Sequence, residues 1–521
     1  MLTSSSISYL DAFAAALAIF LLFLFVFSWR SKNSLPYPPG PKGLPIVGNL
    51  FDMPKEKDWI TYAKWGDLYG GLISLRVFGM TFIIINSAEV AVDILEKQNS
   101  KTSDRPIVPM ASDLVGWRNA TGFMPYGETL RNHRRLQHQL LGTPNAVKAF
   151  HAHVELETHR FLKRLLENGE GFKGHIRKTA GAIILRISHG YEVREEQDPF
   201  VDLAEEAVED LTQTTSPAAF FVNVIPALRH VPEWFPGAGF QKTARKMRKT
   251  LNDLADKPLE YVRSQMAAGT AIPSYTSKLL EQESELGRTL SEEEKNDIKW
   301  SASSLYAAGV DTTYAILHVF FKVMLLYPHV QAKAKAEIDA VVGNGRLPTM
   351  EDRERLPYVN AILLELYRWH IVLPTLIPHL STDDLIYDGH FIPKGAFILP
   401  NVWKMTHDPT IYDDPMTFRP ERFIATKDKS PQKDPRQFMF GFGRRICGGR
   451  HLADVSIFLA CAMVLSVFDI TKSHDKDGKI LEPDTEVTSG IASYSSDFKC
   501  TVRARSENAV ALVQAELAHL G

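Results

Sequence analysis

Read for its apolar and polar positions, the chain opens on an unbroken apolar run, Ala12 to Phe27, 16 residues long. Taken from Tyr9 to Trp29, with Asp11 as its one charge, the run approaches the ~20 residues that cross a bilayer. Arg30 and Lys32 follow it, while no Lys or Arg precedes it, which predicts an uncleaved anchor with everything after residue 30 on the cytosolic side. A cleaved signal peptide is the competing reading; it calls for a basic start and a small-residue cleavage site, and neither is present. The sequon Asn119-Ala120-Thr121 then faces the cytosol and stays unglycosylated. Leu35 to Pro45 carries five prolines, which exclude helix and favour a stiff extended segment.

Beyond the prolines, 60–100 starts as helix and turns to strand: Gly71 to Val77 alternates, and Met80 to Ile85 is a β-rich run. Helical periodicity then dominates to about residue 370, a strand-and-loop stretch covers 380–430, a long apolar helix 451–468, and short strands close the chain. The longest helix begins at Ser291-Glu292-Glu293-Glu294, a capping-box sequence, and runs to Tyr327, where Pro328 stops it. At ~1.5 Å per residue that helix is roughly 50 Å long, enough to cross a domain. The pattern predicts a mainly α body with a small β portion. Its expected divisions are an anchor (1–30), a proline-rich hinge (31–50) and one catalytic unit (51–521).

Composition changes this picture little. The 521 residues are 45% hydrophobic and 23% charged with a formal net charge of −2, so nothing global points to nucleic acid. Three cysteines, Cys447, Cys461 and Cys500, argue against a disulfide framework and for a reducing compartment.

Candidate chemistry gathers at a glycine-rich loop, Phe440-Gly441-Phe442-Gly443-Arg444-Arg445-Ile446-Cys447-Gly448-Gly449. A cysteine thiolate is a known axial ligand of haem iron and pushes electron density toward it. The glycines, Gly443 and Gly449 among them, permit positive φ and close approach of a ring, and Arg445 can reach a haem carboxylate. Taken alone, a glycine-rich turn beside a buried cysteine reads the same way. In the long helix, Ala308-Gly309-Val310-Asp311-Thr312-Thr313 breaks the helical rules locally, which often marks a functional site. A threonine hydroxyl there competes for the helical ladder and can open a groove. Glu365 and Arg368 share a helix face in apolar surroundings, and Arg422 in Pro420-Glu421-Arg422-Phe423 can supply a further partner.

The loop pattern F-x-x-G-x-R-x-C-x-G resembles the haem-thiolate loop of the cytochromes P450. Residues 308–313, Glu365-x-x-Arg368 and Pro420 to Phe423 resemble that family's other three motifs, in order. Anchor, hinge and layout look most like microsomal P450s of filamentous fungi, especially basidiomycete secondary-metabolite hydroxylases. The resemblance implies haem b ligated by Cys447, with Phe440, Gly443 and Gly449 shaping its loop. It implies that Thr312 orders dioxygen and a water, that Asp311 relays protons, and that Glu365, Arg368 and Arg422 form a structural triad. It places Arg134, Arg445 and His379 on the haem propionates. The family's tryptophan four residues before that arginine is Leu130 here, a departure that removes one propionate donor.

The same resemblance implies a membrane monooxygenase of the endoplasmic reticulum, taking electrons from NADPH through a P450 reductase, with cytochrome b5 as an auxiliary donor. Arg131, Arg135, Arg436 and Arg444 are expected to form a basic face for that reductase. Residues 215–245 match the roof of the access channel, dipping into the membrane surface. Substrate walls are expected at 108–122, Phe220-Phe221, 305–308, 372–376 and 490–493, mostly apolar, for a terpenoid, polyketide or indole. Two rivals remain at this stage: a redox-neutral haem-thiolate isomerase or dehydratase, and a non-enzymatic haem sensor or carrier.

Overall fold

The computed structural model describes residues 35–215 and 219–518; the expected anchor and the first residues of the expected hinge lie outside them. Helix α1 (Asp58–Tyr69) precedes strands β1 (Leu72–Val77) and β2 (Met80–Ile85), which pair antiparallel. Next come α2 (Glu128–Leu141), α3 (His151–Glu167), α4 (Phe172–His189), α5 (Pro199–Thr215), α6 (Gly239–Ala267) and α7 (Tyr275–Leu286). Helix α8 (Glu292–Leu326), α9 (Pro328–Val341) and α10 (Pro357–Trp369) follow. Short strands β3 (His379–Leu380), β4 (Leu385–Tyr387), β5 (His390–Ile392) and β6 (Phe397–Pro400) precede the cysteine loop. The chain closes with α11 (Arg450–Val467), the pair β7 (Phe468–Lys472) and β8 (Cys500–Ala504), and α12 (Glu507–Ala518). This is the mainly helical body with a small β portion that the periodicity predicts.

The four-stranded sheet runs β1-β2-β6-β3, with β2 and β6 parallel and the outer pairs antiparallel. Parallel pairing in the middle joins residues 82–85 to 397–400, so the sheet ties the two ends of the helical body together. The proline-rich segment is fastened to this sheet and to the separate β4-β5 pair. Ser74 N donates to the Pro39 carbonyl at 3.0 Å and Phe391 N to that of Pro36 at 2.7 Å. At Gly40 any side chain is excluded, because a Cβ would lie 2.2 Å from the Ser74 carbonyl oxygen.

Helix α8 is the spine. Its start carries the full capping box: Glu294 N donates to Ser291 Oγ at 3.2 Å, and Ser291 N to Glu294 Oε2 at 2.8 Å. Glu292, Glu293 and Glu294 also place negative charge at the positive end of the helix dipole. It packs against α2, α4, α5 and α11. Both α8 and α11 are long and apolar enough to cross a membrane, but the relevant windows are 67% and 72% buried inside the protein, so both are core helices. Gly309 has a packing reason: a Cβ there would come within 2.8 Å of Ile184 Cγ1 on α4.

Candidate active site

The cysteine loop leaves the short helix Arg436–Met439, turns through Gly441 (φ 79°) and Gly443 (φ 53°), and enters α11 at Arg450. Both angles lie in the left-handed region that favours glycine. At Gly443 a Cβ would also strike the Leu95 carbonyl oxygen at 2.4 Å. Cys447 N donates to the Phe440 carbonyl at 2.7 Å, closing the loop. Phe440 packs edge-on to Tyr367, with ring centroids 5.6 Å apart. The Cys447 thiol is exposed, yet protein surrounds it so closely that burial is the largest influence and raises its pKa. Those two facts together describe an internal cleft. Backbone N–H groups of Gly449 and Arg450 point at the sulfur and favour the thiolate, as do the charges of Arg134 and Arg450.

Around that cleft the fold concentrates positive charge. Arg134, on α2, stands beside the loop: a Cβ on Gly448 would lie 3.3 Å from its Nη1. The Arg134 side chain donates no hydrogen bond to any described residue, and burial lowers its pKa. Arg445 donates through Nε to Ser103 O at 2.7 Å and through Nη2 to Met124 O at 2.8 Å; burial lowers it to about 10. His379, in β3, is buried with Nδ1 2.7 Å from the Thr102 carbonyl, and burial holds it well below the usual imidazole value.

Arg105 completes the group and was not among the residues the sequence pointed to. It is 6% exposed, and its Nη1 donates to the Ile377 and Pro378 carbonyls at 2.6 and 2.9 Å. Burial first, then the charge of Arg445, holds it well below the ordinary guanidinium value; Asp104 works against that. Its one sequence signal is weak: it is the charge that stands at the start of the apolar stretch Pro106-Ile107-Val108-Pro109, directly after Asp104.

Arg105 and Arg445 both lower His379, Arg445 lowers Arg105, and Arg134 lowers Arg445, while Asp104 is the one carboxylate acting on Arg105 and Arg445. Buried cations of this kind are costly without anionic partners. The two carboxylates of a haem meet that need, and the thiol and its N–H donors meet the need of the iron. The residues fit the group. Leu376, between α10 and β3, holds φ 53° without being glycine, and its Cδ1 would lie 3.7 Å from a Cβ on Gly441. Such strain concentrates at functional sites.

On α8 one strip opens within the buried middle of the helix. Ala308 is exposed and Gly309 and Thr312 are half-buried, between buried Leu305–Ala307 and Ala315–Leu325. The Thr312 hydroxyl donates back to the Ala308 carbonyl at 2.7 Å, the competition with the helical ladder that opens a groove. Asp311 is 9% exposed, and burial raises its pKa.

Behind the loop, Glu365 takes Arg368 in a two-point bond (2.7 and 2.8 Å), Arg422 Nε at 3.1 Å and Arg419 N at 2.8 Å. All three charged side chains are fully buried, and each arginine spends its remaining donors on carbonyls, among them Pro415 and Asp413. The group is a bracket for the 413–422 chain.

Two expectations take a different form. Arg436 is neutralised by Asp434 and Asp454, leaving Arg131, Arg135 and Arg444 as the exposed cations of that face. Phe221 is 80% exposed on a single 3-10 turn, so it points to solvent; Phe220 alone packs inward.

Residues 38–498 match the family described as Cytochrome P450. Over 506 residues the chain is 47% identical to cytochrome P450 monooxygenase 208 of Postia placenta, with 97% of each chain covered. It is 44% identical over 500 residues to cytochrome P450 monooxygenase claR of Ampulloclitocybe clavipes, covering 96% and 92%. To ppsD of Aspergillus oryzae, also a cytochrome P450 monooxygenase, it is 42% identical over 483 residues, covering 92% and 90%. With this match laid over the Cys447 loop and its ring of buried cations, the chain belongs to the cytochrome P450 family, as a haem-thiolate monooxygenase of fungal type.

Proposed function

We propose that this monooxygenase is held in the endoplasmic reticulum membrane by residues 1–30, faces the cytosol, and hydroxylates a lipophilic, uncharged secondary metabolite. Electrons come from NADPH through a P450 reductase, with cytochrome b5 as an auxiliary donor. Haem held by Cys447, its carboxylates against Arg105, Arg134, His379 and Arg445, supplies the oxygen chemistry, which the thiolate favours by electron donation.

The chain's own residues do the rest. Thr312 presents a hydroxyl at the open strip of α8. Asp311, its pKa raised by burial, keeps a proton available closer to neutrality than an exposed carboxyl does. This acid–alcohol pair is the observation that carries the oxygen-activating reading over the redox-neutral rival, which has no step that needs it. A haem carrier has no use for it either.

Exposed apolar side chains support a membrane setting and an apolar substrate. Phe221 and Trp234 are 80% and 81% exposed, with Ile225 and Phe235 at 51% each, all in the 219–238 segment. Exposed tryptophan, phenylalanine and isoleucine side chains grouped in this way suit a membrane interface. The test feeds terpene, polyketide and indole candidates to membranes from a host co-expressing this chain with a fungal reductase. The expected result is an NADPH-dependent gain of one oxygen atom in one class. Turnover of hydroperoxides without NADPH, and of nothing with it, overturns the reading in favour of the redox-neutral rival.

A further inference from the structure

The Asp311 carboxylate is held from two other elements. The Tyr494 hydroxyl donates to its Oδ2. Arg177, on α4, pairs with its Oδ1 at 3.8 Å. Arg177 also pairs with Glu205 on α5 and lies over the Tyr314 ring, 4.4 Å from its centre. The Glu205 side chain is 47% exposed, so a line of polar groups leads from solvent through Arg177 to the buried carboxyl.

Tyr494 belongs to a closed turn. Val487 and Ser495 bridge its ends, Thr488 N donates to the Tyr494 carbonyl at 2.8 Å, and Tyr494 N donates to Thr488 Oγ1 at 2.9 Å. At the tip, Gly490 (φ 139°) abuts α5: a Cβ there would lie 2.9 Å from Thr212 Cγ2. On the inner side, Ser493 N donates to the Val372 carbonyl at 2.8 Å, and His370 Nε2 lies 3.1 Å from the Ser493 carbonyl. The turn is therefore fastened to the 372–376 segment, and both stretches are expected substrate walls. One residue beyond that wall sits the hydroxyl that holds Asp311.

We propose that Tyr494 is the positioning residue for Asp311, presented to it by turn 487–495. The proposal rests on the reading of Asp311 as the proton-supplying group. The physical basis is a balance. Burial pushes the Asp311 carboxyl toward its protonated form, while the Tyr494 hydrogen bond and the Arg177 charge favour ionisation. The groups facing it are Tyr494 from the turn, Arg177 from α4 and Tyr314 from its own helix, with Glu205 behind Arg177. The Tyr494 hydroxyl also fixes where the carboxyl points, which burial and charge alone do not.

The test uses the haem-loaded full chain in membranes with a P450 reductase and NADPH, without added substrate. The readouts are hydrogen peroxide released per NADPH oxidised and the infrared carboxyl band of Asp311, isolated as the difference between wild type and Asp311→Asn. Tyr494→Phe keeps the ring and removes only the hydroxyl. It is expected to shift the carboxyl band and to raise the peroxide yield several-fold, in the direction Asp311→Asn raises it. The double variant is expected to be no worse than Asp311→Asn alone. An unmoved band overturns the proposal while leaving Asp311 its role, and so do additive effects in the double variant. Peroxide yield unchanged in Asp311→Asn itself overturns the reading of Asp311, and the role of Tyr494 with it.

Discussion

Gly309 of α8 and Ile184 of α4 meet so closely that a Cβ on the glycine would lie 2.8 Å from Ile184 Cγ1. The glycine in the 308–313 element therefore lets two core helices cross, beside the strip where Ala308 and Thr312 open. Helical propensity alone favours alanine over glycine by about 1 kcal/mol, whereas overpacking costs about 1–3 kcal/mol. Gly309→Ala is expected to destabilise the fold, and Ile184→Ala placed on top of it to restore part of the loss. Thermal or denaturant unfolding of the two single variants and the double measures this coupling. Strictly additive effects would contradict the contact.

Arg105 should hold haem. It is buried and bonded to the Ile377 and Pro378 carbonyls, and it shares one charge cluster with Arg445 and His379. Arg105→Met preserves bulk and removes the charge, so haem should pass to an excess of apomyoglobin several-fold faster than from wild type. Arg105→Lys is expected to fall between the two, because lysine keeps the charge but not the fork that binds two acceptors. A transfer rate equal to wild type in Arg105→Met would remove this residue from the cofactor site.

Buried histidines should make the protein acid-sensitive. His370 is 5% exposed, and burial lowers it from 6.5 to about 4. Between those values the unfolded chain binds a proton that the folded chain does not, so stability rises with pH there and is lost on acidification. One such group contributes at most roughly 3 kcal/mol across the window. His370→Asn is expected to flatten the fall in unfolding free energy between pH 6.5 and 4, and an unchanged slope would contradict the assignment.

How much of this was legible beforehand depends on the range of the interaction. The capping box at Ser291, the stop at Pro328 and the apolar α11 rest on local patterns and stand in the structure within a residue or so. The cysteine loop, Arg134, His379 and Glu365-x-x-Arg368 carry spaced residue types, and the structure gathers the first three around one cleft. Arg105 was not legible, because its burial is created by carbonyls of residues 377 and 378, far along the chain. Tyr494 and Asp311 were unreadable as a pair for the same reason. Arg436 reads as a free surface cation until Asp434 and Asp454 are seen to surround it. Phe221 reads as pocket wall by its type, but a single turn of backbone points it outward.

The central claim is that Cys447 supplies the thiolate that holds haem iron. Its most direct measurement is the carbon monoxide difference spectrum of the reduced, haem-loaded full chain, taken for wild type and for Cys447→His. Wild type is expected to show the red-shifted Soret band of thiolate ligation, and Cys447→His an imidazole-type band or no bound haem. A thiolate-type band that survives in Cys447→His, or its absence from haem-loaded wild type, would contradict the account.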